Sequence, residues 1–310
     1  MTTERKEATK RMTKQQFGVW WRLFRPFTLT ASIVPVLVGT GLAMPSTHFH
    51  TSLFIAMLLA SILIQSATNM FNEYYDYKRG LDDENMVGIS GTIVRDGIQP
   101  KVVLALGWIS VLVALLIGVY LCTQTTWWLA LIGAACVMVG YMYSGGPWPL
   151  AYTPFGELAA STAMGPVIVL ISFYLQTGDI TWRAALVSIP IGLLIGAILL
   201  ANNIRDMDQD KRGGRKTIAI LVGRQRGRVL FGSVFGMTYL LVIALVVLGF
   251  LTPWALVVLA TIPTAVYVTR LYYRFTEPAK LHAAVKGTSN LLFRFGVLMF
   301  CAMIVSMIHI

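Results

Sequence analysis

TSLFIAMLLASILIQSATNMFNEYYDYKRGLD, residues 51–82, is the stretch on which the fold turns. Positions 51–72 carry no charged side chain, and about 20 apolar residues are what a helix needs to cross the hydrocarbon of a bilayer. Yet the run delivers Asn72, Glu73, Asp76 and Asp82 at its end. An ionised carboxylate at membrane depth costs roughly 2.5–3.5 kcal/mol on insertion scales, so such acids usually face a cavity or a partner. The stretch reads as a transmembrane helix with a functional site at one end.

The rest of the chain agrees. Of its 310 residues 56% are hydrophobic and 13% charged, against about 25% charged in soluble domains. Eight further apolar segments lie near 20–44, 102–122, 126–143, 155–175, 184–203, 229–250, 253–272 and 289–309. The expected fold is all-α and integral to the membrane, with nine transmembrane helices. Lys and Arg accumulate in cytoplasmic loops, and 24 of the 25 fall in residues 1–25, 73–101, 204–228 and 270–294, with Arg183 the exception. That places the N-terminus in the cytoplasm and the C-terminus outside. Residues 1–19 read as a polar cytoplasmic tail without a removable signal peptide, and 20–310 as a single polytopic transmembrane domain. The net charge of +11 is then a topology signal with an attraction to anionic membrane lipid. Its scatter over four segments argues against a nucleic-acid partner. Cys122, Cys136 and Cys301 fall in apolar spans and read as small core residues.

An echo follows at NNIRDMDQDKRGGRKT, residues 202–217, where Asn202 and Asp206 repeat the step from Asn72 to Asp76 at an offset of 130. The two segments end the second and sixth helices. The first four and next four helices therefore read as parallel repeats, with the ninth added, a known way to build a site between two halves of a membrane bundle.

Helical spacing places Gln65, Asn69, Asn72 and Asp76 on one face, and Asn202, Asp206 and Asp210 on another. Interhelical hydrogen bonding accounts for Gln65 and Asn69 but not for the carboxylates, which repel one another and require something cationic between them. An oxygen-only ligand set suits a hard cation such as magnesium, which often bridges to substrate phosphates. Lys78, Arg79, Arg205, Lys211, Arg212, Arg215 and Lys216 stand beside the acids, and metal with Arg and Lys is the usual equipment for holding a diphosphate. A diphosphate gripped at the membrane edge beside an apolar cavity implies a lipid tail attached to it.

Four segments, RPFTLTASIVPVLVGT (25–40), NMFNEYYDYKRGLD (69–82), YSGGPWPLAYTPFGEL (143–158) and NNIRDMDQDKRGGRKTIAILVG (202–223), carry a resemblance to the UbiA superfamily of intramembrane prenyltransferases. Within it the chain looks like the MenA-type branch that acts on 1,4-dihydroxy-2-naphthoate. The resemblance implies metal ligation by Asn72, Asp76 and Asp82, and by Asp206 and Asp210, with Asn72, Asp76 and Asp206 central to catalysis. Here Gly80 stands where the general motif has its second acid, which leaves Asp82 and Asp83 as alternatives. It implies Mg2+ as cofactor, diphosphate contacts from Lys78, Arg79, Arg205, Lys211 and Arg215, and transfer of a polyprenyl group from its diphosphate to the naphthoate ring with loss of CO2. Phe71, Tyr75, Tyr143 and Trp148 are candidates to shield the allylic cation.

Arg25 is a candidate for the acceptor's carboxylate or a phosphate. The loop YSGGPWPLAYTP, with Tyr143, is either a lid lining the acceptor site or a plain connection. Glu157 is placed to bond that loop or to orient the acceptor. His48 and His50 form H-x-H on the outer side, with little nearby to complete a metal site, and read as exposed residues; His282 and His309 stand alone. The rivals are a relative with another acceptor, such as 4-hydroxybenzoate, and a secondary transporter.

Overall fold

The structure is a computed structural model and describes residues 18–82 and 91–308. The expected tail falls almost wholly outside these residues, as do Asp83 and His309. All regular structure among the described residues is helical. Helix α1 covers residues 18–24, α2 Thr30–Ala43 and α3 Thr51–Lys78. A short α4 (Thr92–Asp96) leads into α5 (Pro100–Gln124) and α6 (Trp128–Ser144). The next rod joins α7 (Gly156–Thr162) to α8 (Ile168–Thr177) through a π-turn at Ala163–Val167. Then come α9 (Trp182–Arg205), the short α10 (Met207–Arg212) and α11 (Ile218–Val247). A 3-10 segment, Pro253–Thr261, precedes α12 (Ile262–Arg274), and α13 (Pro278–Ile308) ends the described chain. Seven of these rods are long and apolar enough to cross a membrane, and Thr30–Ser46 and Trp128–Ser144 are shorter apolar rods.

The first apolar segment departs from expectation. A single helix over 20–44 is broken at Arg25, whose φ of 49° is left-handed. Pro26 follows it, and a proline disfavours right-handed helix in the residue before it. The left-handed conformation costs an ordinary residue roughly 1–2 kcal/mol. Arg25 is held there by its own side chain, which donates to Asn72 Oδ1 and Glu73 Oε2 of α3, each at 2.9 Å.

α9 is the hub. In its apolar window 67% of residues are buried in protein, against 28% for α5, and it packs on α11, α13, α7 and α2. Its Val187, Ile191, Leu194, Ile195 and Ile198 fill the main core. By contrast α5 and α6 turn Leu116 and Leu131 outward, the pattern of a face that meets lipid. α9 and the α7–α8 rod approach so closely that a Cβ added at Gly165 would collide with the Gly192 backbone. Pro166 sits at the same crossing, and a proline has no N–H to donate to the helix, which accounts for the local π-turn.

Two glycines give contrasting tests. Gly165→Leu is expected to lower the thermal unfolding midpoint in detergent, by the destabilisation of about 1–3 kcal/mol typical of overpacking. Gly118→Leu in α5, where an added Cβ meets nothing within 4 Å, is expected to leave that midpoint unchanged.

Candidate active site

α3 presents Gln65, Asn69, Asn72 and Asp76 to one cavity of about 220 Å³. Gln65 Nε2 donates to Asn69 Oδ1 at 3.1 Å, and Asn69 Nδ2 donates to Phe24 O at 3.1 Å and Thr28 Oγ1 at 2.9 Å. Asn69, steadied by Gln65, thus ties α3 to the end of α1 and the turn after it. Asn72 Nδ2 donates to Asp76 Oδ2 and to Ser144 Oγ, both at 3.0 Å. Asn72 is therefore a positioning group for Asp76 as well as a candidate ligand.

The opposite wall comes from α9 and α10, which bring Asn202, Asp206 and Asp210 to the same cavity. They do not ride one continuous helix, as the spacing suggested. The path breaks at Asp206 (φ −93°, ψ 5°), and α10 carries Asp210 round. Two contacts lock the acidic segments together: Gln209 Nε2 donates to Leu81 O at 2.7 Å, and Arg215 spans the gap. Arg215 Nη2 lies 2.7 Å from Asp76 Oδ1 and its Nη1 2.9 Å from Asp210 Oδ1. One cation that answers the repulsion between these carboxylates is therefore the Arg215 guanidinium. Arg205 grips Asp206 through Nε at 2.7 Å and through Nη2.

Asp82 lines the cavity beyond Gly80, whose φ of 70° turns the chain after α3. Neither of its carboxylate oxygens has a partner among the described residues, nor does Asp210 Oδ2. Burial, reinforced by the charges of Asp76 and Glu73, pushes the Asp82 carboxyl up to about 7. Burial also raises Asp210 to about 6, with Arg215 opposing and Asp206 and Asp76 reinforcing. Among the described residues no group of three or more acidic, His or Cys side chains forms a ready-made metal cage. An oxygen-only set with orphaned buried carboxylates still fits a hard cation, one that completes its shell with water and substrate phosphate.

The cavity also receives Arg25, Arg205, Arg215 and Tyr143. Lys78 and Lys211 are exposed and do not line it. Arg79 turns to the α6–α7 loop, donating to Ser144 O at 2.6 Å and lying 5.2 Å from the Tyr152 ring centroid. Of the four candidate aromatic shields only Tyr143 lines this cavity. Phe71 and Tyr75 flank the polar stripe of α3, and each packs on Tyr141. Trp148 is 83% exposed. Glu157 accepts from Asn203 Nδ2 at 2.7 Å, so it braces α9.

Sequence reasoning assigned no role to four residues that the structure brings to the site. Glu73, 1% exposed, holds Arg25 and accepts from Thr92 Oγ1 at 2.9 Å. Phe27, His282 and Lys286 line the cavity. The i, i+4, i+7 spacing of His282, Lys286 and Ser289 on α13 was the available signal for the last two. A second, apolar cavity of about 240 Å³ lies among α3, α5, α6 and the α7–α8 rod. It shares Gln65, Thr68, Tyr143, Ala160 and Met164 with the first, so the two lie side by side. Gly118 and Gly133 line it with open space before them.

Comparison with known proteins gives the arrangement its place. Residues 32–303 match the UbiA prenyltransferase family. The chain is 47% identical over 305 residues to a 1,4-dihydroxy-2-naphthoate octaprenyltransferase of Bacillus subtilis, covering 98% of each chain. It is 32% identical to the enzyme of that name from Mycobacterium tuberculosis, covering 80% of this chain and 84% of the other. Its fold matches a UbiA homolog from Archaeoglobus fulgidus bound to GPP and Mg2+ with a TM-score of 0.64 at 16% identity, covering 91% and 99% of the two chains. An apo UbiA homolog from Aeropyrum pernix K1 gives a TM-score of 0.67 at 17% identity, covering 90% and 98%. With the paired acidic segments on one cavity and a match over most of its length, the chain belongs to the UbiA prenyltransferase family.

Proposed function

We propose that the protein transfers a polyprenyl group from polyprenyl diphosphate to 1,4-dihydroxy-2-naphthoate, releasing CO2 and diphosphate and giving demethylmenaquinol in menaquinone biosynthesis. One observation carries this reading: amide and carboxylate faces from α3 and from α9–α10 line a single cavity that adjoins an apolar chamber. The near full-length relative supports the choice of acceptor.

Asp76, Asp82, Asp206 and Asp210, with the Asn72 carbonyl, are the groups that would hold Mg2+, whose chemistry when bound is Lewis-acid stabilisation of the departing diphosphate. Arg205 and Arg215 present guanidinium donors to the same space, and Arg215 is positioned to exchange a carboxylate partner for a phosphate oxygen. Lys78, Arg79 and Lys211 stand outside it and are left out of this assignment. As the bond from prenyl carbon to diphosphate oxygen breaks, its electron pair leaves with the diphosphate. Tyr143 offers its ring to the allylic cation at the junction of the two cavities. A ring carbon of the acceptor forms the new carbon–carbon bond, and the electron pair of the bond to CO2 stays with the ring.

The apolar chamber is assigned to the prenyl tail. Nine spans are assigned by adding the two shorter apolar rods to the seven long ones. The distribution of Lys and Arg supports an N-terminus and an active site on the cytoplasmic side of the cell membrane. Parallel repeats are supported by the matching positions of Asn72 and Asp76 at the end of α3 and of Asn202 and Asp206 at the end of α9.

Four measurements test this. Membranes given dihydroxynaphthoate, a polyprenyl diphosphate and Mg2+ should yield prenylated naphthoquinol, and 4-hydroxybenzoate should yield none. Asp76→Ala and Asp206→Ala, still inserted, should each lose at least about a hundred-fold in turnover, the scale of a lost transition-state charge contact. Because a metal binds the ionised carboxylate, the Mg2+ concentration for half-activation should rise as pH falls through about 7 and then about 6, where Asp82 and Asp210 take up protons. Gly133→Phe should spare turnover of geranyl diphosphate and reduce that of long-chain donors, read as product ratios in competition.

A further inference from the structure

The charges that line the first cavity can be paired off one by one. Arg25 is bound to Glu73, Arg205 to Asp206, and Arg215 to Asp76 and Asp210. Asp82 is left as an acid with no partner among the described residues. Lys286 is left as a cation: it lines the cavity, and no ion pair joins it to a carboxylate among the described residues. The unpaired acid belongs with the acidic segments and their metal. The unpaired cation comes from a different helix, α13, one turn beyond His282, whose Nδ1 lies 3.4 Å from Arg205 Nη1.

Lys286 also has the wrong posture for a lysine that merely seeks lipid headgroups. It is half-buried, and its ammonium lies 4.9 Å from the centroid of the Phe27 ring, which lines the same cavity. Long basic side chains near helix ends usually extend outward to the interface. A half-buried ammonium beside an aromatic face is instead an anion site with a surface on which a flat ring can lie. Meanwhile Arg25, the natural candidate for the acceptor's carboxylate, is already committed to Glu73 and to its backbone turn.

We propose that Lys286 binds the carboxylate of the aromatic acceptor, with the Phe27 ring against the acceptor's rings. This rests on the reading that the acceptor is a hydroxylated aromatic acid. It makes Lys286 a specificity-determining residue that contributes binding alone. A group that grips a carboxylate equally before and during reaction changes KM and leaves kcat in place.

The test is kinetic, on the full-length protein in membranes, with Lys286→Gln and Lys286→Arg. Lys286→Gln should raise the KM for dihydroxynaphthoate roughly ten- to a hundred-fold, the range of a lost charge-assisted hydrogen bond. The KM for polyprenyl diphosphate and kcat should stay close to the parent's, and Lys286→Arg should restore most of the acceptor affinity. Competition supplies a readout that a merely structural role would not move. In the parent, 1-hydroxy-2-naphthoate should inhibit more strongly than 1-naphthol, and in Lys286→Gln that preference should vanish. Unchanged acceptor kinetics, a KM effect confined to the diphosphate donor, or a carboxylate preference that survives would each overturn the assignment. No turnover of any naphthoate by the parent would instead defeat the underlying reading of function.

Discussion

Two acidic segments from distant parts of the chain face one another across a narrow space, and a single guanidinium holds them there. Asp76 and Asp210 would repel if left alone. Arg215 takes one oxygen from each, and Gln209 fastens the backbone at Leu81 alongside. The planar fork of an arginine suits this task, since it can address two carboxylates at once without losing its charge. The cavity, its orphaned acid and the neighbouring apolar chamber all take their positions from this clasp. The rest of the bundle reads as scaffolding around it: α9 at the centre, the α7–α8 rod pressed against it through Gly165 and Gly192, and the outer helices turned to lipid.

Much of this was legible in the sequence because a bilayer leaves few choices. Backbone polar groups in hydrocarbon must be satisfied within the segment, so long apolar runs become helices. Once helical, Gln65, Asn69, Asn72 and Asp76 can only fall on one face. The same logic brought Asn202, Asp206 and Asp210 to the cavity, although the break at Asp206 changed the route by which Asp210 arrives. What periodicity could not reach were properties of the packed bundle. Charge beside charge was read as one pool of phosphate-binding groups, but neighbours in sequence point in different directions. Lys78 and Lys211 meet solvent, while Arg205 and Arg215 turn inward.

Other features were hidden because they depend on pairs far apart in the chain. Nothing at Arg25 announces that its partner is Glu73, since Glu73 lies off the polar stripe. The apolar chamber is an absence, formed where Gly118 and Gly133 withhold side chains, and a glycine in a hydrophobic run gives no sign of whether it faces lipid, protein or space. His282 and Lys286 were overlooked for a different reason. They sit in a basic segment that the positive-inside rule explains by itself, and a sufficient explanation conceals a second role.

The uneven burial of the helices bears on how such a protein can change over time. A residue on α5 or α6 that faces acyl chains need only be greasy, and exchange among Leu, Ile, Val and Phe there disturbs little. A residue on α9 is enclosed on most sides and must match a particular shape. Sequence turnover should therefore run fast at the periphery and slowly along one central rod and the two acidic turns beside it. Ancestry in a bundle of this kind is best sought in those few tens of positions, however much the rest has drifted.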